Sequence, residues 1–264
     1  MQIISVYNQS GGAGKTTTVR EVGYQLARRG QRVLLVDLDP QASLTRGLGL
    51  LDDPASPAHL LTSTVFVSAV DPRAPLPDAL VPPQVPDLRV LPANAGLEAL
   101  DGVLYADERR LGHLGSALRG LSGYDTVLID TPPALGGITR AALAASDALI
   151  VPVASSLKGL ENFDSVSEVV DGMRRFSPGL RVALFVVTGF DPRVRHDQEV
   201  LTLLRTRYAS VAPTASPVTF RKAIFNDVGI ARTVVPLYRP KDAAARELSV
   251  VTDELLAALA EVSA

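Results

Sequence analysis

Cysteine is absent from all 264 residues, which excludes disulfides and thiolate metal sites outright. Lysine is scarce too. Of 26 Lys and Arg residues, only Lys15, Lys158, Lys222 and Lys241 are lysines. No apolar run reaches the roughly 18 residues of a membrane-spanning helix, so no span is expected. With a first strand beginning at residue 2 or 3, no signal peptide is expected. Neither sign of charge predominates: the formal net charge is −2, which alone suggests no polyanionic partner. What is present is 47% apolar and 20% charged residues, the balance of an ordinary soluble globule with length enough for one α/β domain and a full core.

The densest signal lies near the start. Ile3-Ile4-Ser5-Val6-Tyr7 reads as a buried strand, and Val19 to Ala27 carries apolar positions at helical spacing. Between them runs Asn8-Gln9-Ser10-Gly11-Gly12-Ala13-Gly14-Lys15-Thr16-Thr17-Thr18. Strand, glycine loop, Gly-Lys-Thr and helix is the P-loop arrangement. Its glycines let consecutive backbone N–H groups turn inward around phosphate oxygens, and the helix start adds its dipole. Residues Ser10 to Thr17 are therefore candidate nucleotide contacts. Lys15 reaches for the β- and γ-phosphates of a nucleotide, and the Thr16 hydroxyl for Mg²⁺.

A second strand, Arg32 to Asp37, leads into Leu38-Asp39-Pro40-Gln41, delivering two carboxylates to the edge where open α/β sheets place ligands. Two aspartates capping a turn are the alternative. Together, Asn-Gln-x-Gly-Gly-x-Gly-Lys-Thr-Thr and Val-Asp-x-Asp-Pro-Gln resemble the ParA family of partition ATPases, within the ParA/MinD group. The resemblance implies that Asp39 belongs to switch I, orients the attacking water and serves at the metal. Tyr124 to Pro133 resembles a Walker B strand and its exit, ending in Asp130, which would hold Mg²⁺ beside Thr16. Gly136-Gly137 would supply a flexible switch II. Pro217 and Thr219 match positions that touch the base or sugar in relatives, and Asp191-x-Arg193 has a counterpart there.

Elsewhere the chain alternates strands (148–153, 182–187 and a short one near 88–92) with helices (107–121, one reaching about 175, 198–208, 243–260). That order predicts a mostly parallel twisted sheet with helices on both faces, as one domain over 1–264. Residues 51–96 are proline-rich and expected to be irregular. His59 and His113 lack metal-like spacing and read as structural or surface residues.

Between 171 and 222, nine basic residues face four acidic ones, which suggests a basic face suited to phosphate backbones. A solvated helix face is the bland alternative. The resemblance favours the first: ATP-bound homodimers that bind double-stranded DNA without sequence preference. Arg221 is the leading candidate contact, then Lys222, Arg193 and Arg195. It further implies a weak Mg²⁺-dependent ATPase, cytoplasmic and nucleoid-associated, acting with a ParB-like activator or a cargo adaptor. With no N-terminal helix-turn-helix, the chain resembles the short type that binds no operator.

Other readings fit less well. A nitrogenase-type iron–sulfur reductase needs cysteines. A MinD-like membrane ATPase needs a basic amphipathic C-terminal helix, and this one is acidic on its polar face. A nucleotide-binding scaffold that does not hydrolyse, and relatives that position carboxysomes or other protein cargo, remain as alternatives. The second is kept alive by Ser10, which stands where the family carries a signature lysine that reaches the partner's ATP. Lys158, in the loop after the 148–153 strand, is the expected substitute cation.

Overall fold

The computed structural model describes residues 1–52, 71, 76, 78–155, 163–219 and 221–261. Among the described residues six strands form one sheet: β1 (Gln2–Val6), β2 (Val33–Asp37), β3 (Arg89–Leu91), β4 (Thr126–Asp130), β5 (Ala148–Ala154) and β6 (Arg181–Thr188). They lie in the order β3-β2-β4-β1-β5-β6, and every neighbouring pair is parallel. Four of them are near-continuous apolar runs because both faces of the sheet are covered.

Alternation along the strands divides the core. Ile4, Val6, Leu35 and Leu128 pack against α1 (Lys15–Arg28), α2 (Ser43–Gly47), the short helices α8 (Lys222–Ile230) and α9 (Val235–Tyr238), and the closing α10 (Ala243–Ala260). Ile3, Leu34, Val127 and Ile129 pack against α3 (Leu97–Ala106), α4 (Leu111–Arg119), α5 (Gly137–Ala145), α6 (Phe163–Met173) and α7 (Arg195–Arg207). Residues 213–219 run beside β6 and cover its edge: the Phe185 N–H donates to the Pro213 carbonyl and the Val218 N–H to the Val187 carbonyl.

Two local expectations change, and one helix was not foreseen. The stretch expected as one helix over 107–121 opens with a 3₁₀ turn, Glu108–Arg110, before α4, because extended Asp107 caps the turn by accepting from the Arg109 N–H. Leu97–Ala106 is helical, burying Leu97, Leu100 and Leu104. The Gly136-Gly137 pair is wedged rather than loose. A Cβ on Gly137 would lie 2.4 Å from the Asp101 carbonyl oxygen, and the Asp101 carboxylate accepts from the Ile138 N–H at the start of α5. These glycines permit a close helix–helix approach.

Candidate nucleotide site

The register brings three strand ends together: Val6 of β1 lies opposite Asp130 of β4, and Asp37 of β2 lies on its other side. The loop after β1 is braced from distant parts of the chain. The Asn8 side-chain amide donates to the Pro152 carbonyl (2.7 Å) while its oxygen accepts from the Ser10 N–H (2.7 Å). The Thr188 hydroxyl donates to the Ala13 carbonyl (2.9 Å), and Thr131 to that of Val6 (2.8 Å). Gly12 (φ 77°) and Gly14 (φ 86°) adopt the left-handed conformation, and Gly14 caps α1. Lys15 and Thr16 therefore open a helix whose first N–H groups face the loop.

Lys15 is folded back. Its Nζ donates to the carbonyls of Asn8 (2.9 Å) and Ser10 (3.1 Å). Burial lowers its pKa, against the opposing pull of Asp130 and Asp39. An ammonium held by two neutral carbonyls in a desolvated loop is ready to exchange them for anionic oxygens.

On the acidic side, Asp37 is spoken for: Oδ2 accepts from the Thr45 N–H (2.9 Å) and hydroxyl (2.6 Å), and Oδ1 from the Asp39 N–H (3.1 Å). Burial raises its pKa to about 6 despite those bonds. Asp130 is fully buried, and neither of its oxygens has a hydrogen-bond partner of ordinary geometry. Burial, then the neighbouring Asp37, push it well above the usual carboxylate range, while nearby Thr16 and Lys15 pull the other way. Two orphaned carboxylate oxygens beside a threonine hydroxyl and a phosphate loop are the donor set that a hard divalent cation fits. Among the described residues no cage of three or more His, Cys, Asp or Glu side chains exists. Asp39 is half-buried, and its Oδ1 accepts from the Gln41 N–H (2.9 Å), capping its own turn. It nonetheless lies near enough to Asp130 and Lys15 to act on both.

Beside the loop opens a cavity of about 360 Å³, lined by Gly12, Gly14 and Thr17 at one end and by Val186, Phe225 and Val251 in its apolar part. Thr219 lines it; Pro217 is not among the lining residues. Thr219 is engaged through its N–H and hydroxyl by Glu247 of α10 (2.9 and 3.0 Å). Sequence reasoning passed over Glu247, since its partners lie 26 and 28 residues away and no motif marks it.

The four candidate DNA contacts do not form one free cationic set. Arg221, the leading one, is bound bidentately by Glu247 (2.6 and 2.8 Å) with its side chain only 22% exposed. Arg193 and Arg195 are 87% and 93% exposed but pair with Asp191 and Glu199. Lys222 is exposed at the start of α8. Local acids thus neutralise much of the surplus that a residue count suggests. Lys158 lies outside the described residues.

A parallel sheet with a glycine loop, an inward lysine and a carboxylate-tipped neighbouring strand defines a P-loop nucleotide-binding protein. Comparison narrows that class. A family model described as an AAA domain matches residues 1–177. The probable plasmid-partitioning protein ParA of Thermus thermophilus is 35% identical over 263 residues, covering 97% of this chain and 78% of its own. The chromosome partitioning protein ParA of Myxococcus xanthus is 34% identical over 206 residues (77% and 70%). The chain belongs to the ParA family of partition ATPases. Among solved structures, cobyrinic acid a,c-diamide synthase from Mycobacterium smegmatis, with bound ATP analogue and magnesium, superposes with a TM-score of 0.80 at 28% identity over 99% of this chain and 97% of that one. Apo McdA of Cyanothece shares the fold (TM-score 0.79, 22% identity, 98% and 99% covered). No helix among the described residues is long and apolar enough to cross a membrane.

Proposed function

We propose that this chain, acting as one domain over 1–264, is a weak Mg²⁺-dependent ATPase. It would dimerise around two ATP molecules, bind DNA without sequence preference in that state, and move DNA cargo with a ParB-like partner. Its place of action would be the cytoplasm, on the nucleoid. One observation supports it above the rest: a phosphate loop is already shaped around Lys15 while both oxygens of Asp130 next to it stay unpartnered. Thr16 and Asp130 are the groups that would hold Mg²⁺, which when bound neutralises phosphate charge. Lys15 gives up the carbonyls of Asn8 and Ser10 for phosphate oxygens, and Asp39 leaves its turn-capping contact to orient a water. The apolar cavity reaching Thr219 takes the nucleoside.

Ser10 favours a second reading, transport of a protein cargo through an adaptor, because serine supplies no cation to a facing nucleotide. Lys158 is then the residue that does so. Turnover and DNA-binding assays test these roles. Asp39→Ala should keep ATP binding, lose hydrolysis and trap the dimer, and Lys158→Ala should reduce turnover and dimerisation. DNA binding should require ATP and weaken steeply with salt. Hydrolysis undiminished in Asp39→Ala would remove its assignment. Wild-type protein that binds ATP without turnover would instead be a scaffold.

A further inference from the structure

Val218 and Thr219 line the cavity beside the phosphate loop, and Ser216 and Pro217 lead into them in a stretch that belongs to no helix or named strand. One face of α10 holds them. Glu254 accepts from Ser216 with both oxygens, Oε2 from the backbone N–H and Oε1 from the hydroxyl, each at 2.8 Å. Two turns earlier Glu247 treats Thr219 the same way, Oε2 taking the N–H at 2.9 Å and Oε1 the hydroxyl at 3.0 Å. Arg221 closes the clamp by donating Nη1 and Nη2 to that same carboxylate. Burial pushes the Glu247 carboxyl up, but the donors outweigh it and hold it below the usual range.

Residues seven apart share a helix face, and Leu248 and Val251, between the two glutamates, line the cavity. A carboxylate that receives both an N–H and a hydroxyl from one residue fixes the direction of the backbone as well as its position. Docking of the helix does not depend on these contacts. Leu248, Val251, Leu255 and Leu259 are buried, and Asp253 separately pairs with Arg29, the residue that follows α1.

We propose that Glu247 and Glu254 are positioning residues that set the nucleoside wall of the site. The inference rests on the reading of this cavity as the nucleoside end. Its test compares ATP with inorganic tripolyphosphate, which occupies the loop but has no nucleoside. Dissociation constants for both are measured in the wild type and in Glu247→Gln, Glu254→Gln, Ser216→Ala and Asp253→Asn. Glutamine keeps one acceptor and turns the other into a donor, so each glutamine variant should weaken ATP about tenfold. Ser216→Ala, which leaves the helix untouched, should weaken it about threefold. Tripolyphosphate should stay within about twofold throughout, and Asp253→Asn should change neither ligand. Unchanged ATP affinity in the glutamine variants and Ser216→Ala overturns the proposal. An equal loss of tripolyphosphate also overturns it, because general destabilisation would produce that. A wild type that binds ATP no tighter than tripolyphosphate removes the cavity reading itself, and the proposal with it.

Discussion

The phosphate end and the basic stretch from 171 to 222 handle charge in opposite ways. At the first, few charges are present and the central two are buried: Asp130 has no hydrogen-bond partner of ordinary geometry and Lys15 has only carbonyls. In the second, charges are many and five of the nine cations are answered by carboxylates, Arg174 by Asp171, Arg175 by Glu108, Arg193 by Asp191, Arg195 by Glu199 and Arg221 by Glu247. The buried, unanswered set is where binding energy is stored, since a ligand there relieves a penalty already carried by the free protein. A cation that already has its carboxylate offers a polyanion only the difference between two partners.

The largest effect expected from breaking this contrast is at Arg221. Arg221→Glu sets a second carboxylate against the partly buried Glu247 and should cost about 2–4 kcal/mol of stability. ATP affinity should fall as well, through the Thr219 wall. Thermal unfolding read beside nucleotide titration checks this, and a variant that loses DNA binding alone would restore Arg221 to the surface set. A smaller effect of opposite sign is expected at Asp130. Asp130→Asn removes an uncompensated buried charge and should stabilise the ligand-free protein by about 1–2 kcal/mol, while abolishing stabilisation by Mg²⁺-ATP. Denaturant melts with and without Mg²⁺-ATP decide it; a destabilised free protein would contradict it. The smallest change belongs to the exposed arginines. Arg193→Ala and Arg195→Ala should leave melting unchanged and, if they touch phosphates, each lower the salt slope of DNA binding by about one. An unaltered slope takes both out of the interface.

The same contrast explains what was legible in the sequence. The loop from Asn8 to Thr18, the strand tips at Asp37 and Asp130 and the parallel order of the sheet rest on local patterns, and local patterns survive in a linear string. Helix α3 follows a proline-rich stretch that masks its periodicity. The glycine pair at 136–137 reads as looseness until Asp101 is seen packed against it. Arg221 read as a surface cation because its neutralising partner sits 26 residues on. Glu247 and Glu254 were visible only as the acidic face of an amphipathic helix; what they hold is a loop from another part of the chain.

The bracing of the phosphate loop also bears on the order in which the molecule acquires its shape. Asn8 is tied to a carbonyl 144 residues later, and Ala13 to a hydroxyl 175 residues later. Strand β1 lies between β4 and β5, both of which are synthesised long after it. A growing chain thus carries the complete loop sequence long before the downstream residues that brace the loop. Distant parallel pairings close slowly, and the cavity wall waits longer still, for the final helix and Glu254. The cavity wall is therefore among the last parts of the molecule to be completed, since Thr219 meets Glu247 only when much of α10 has been made.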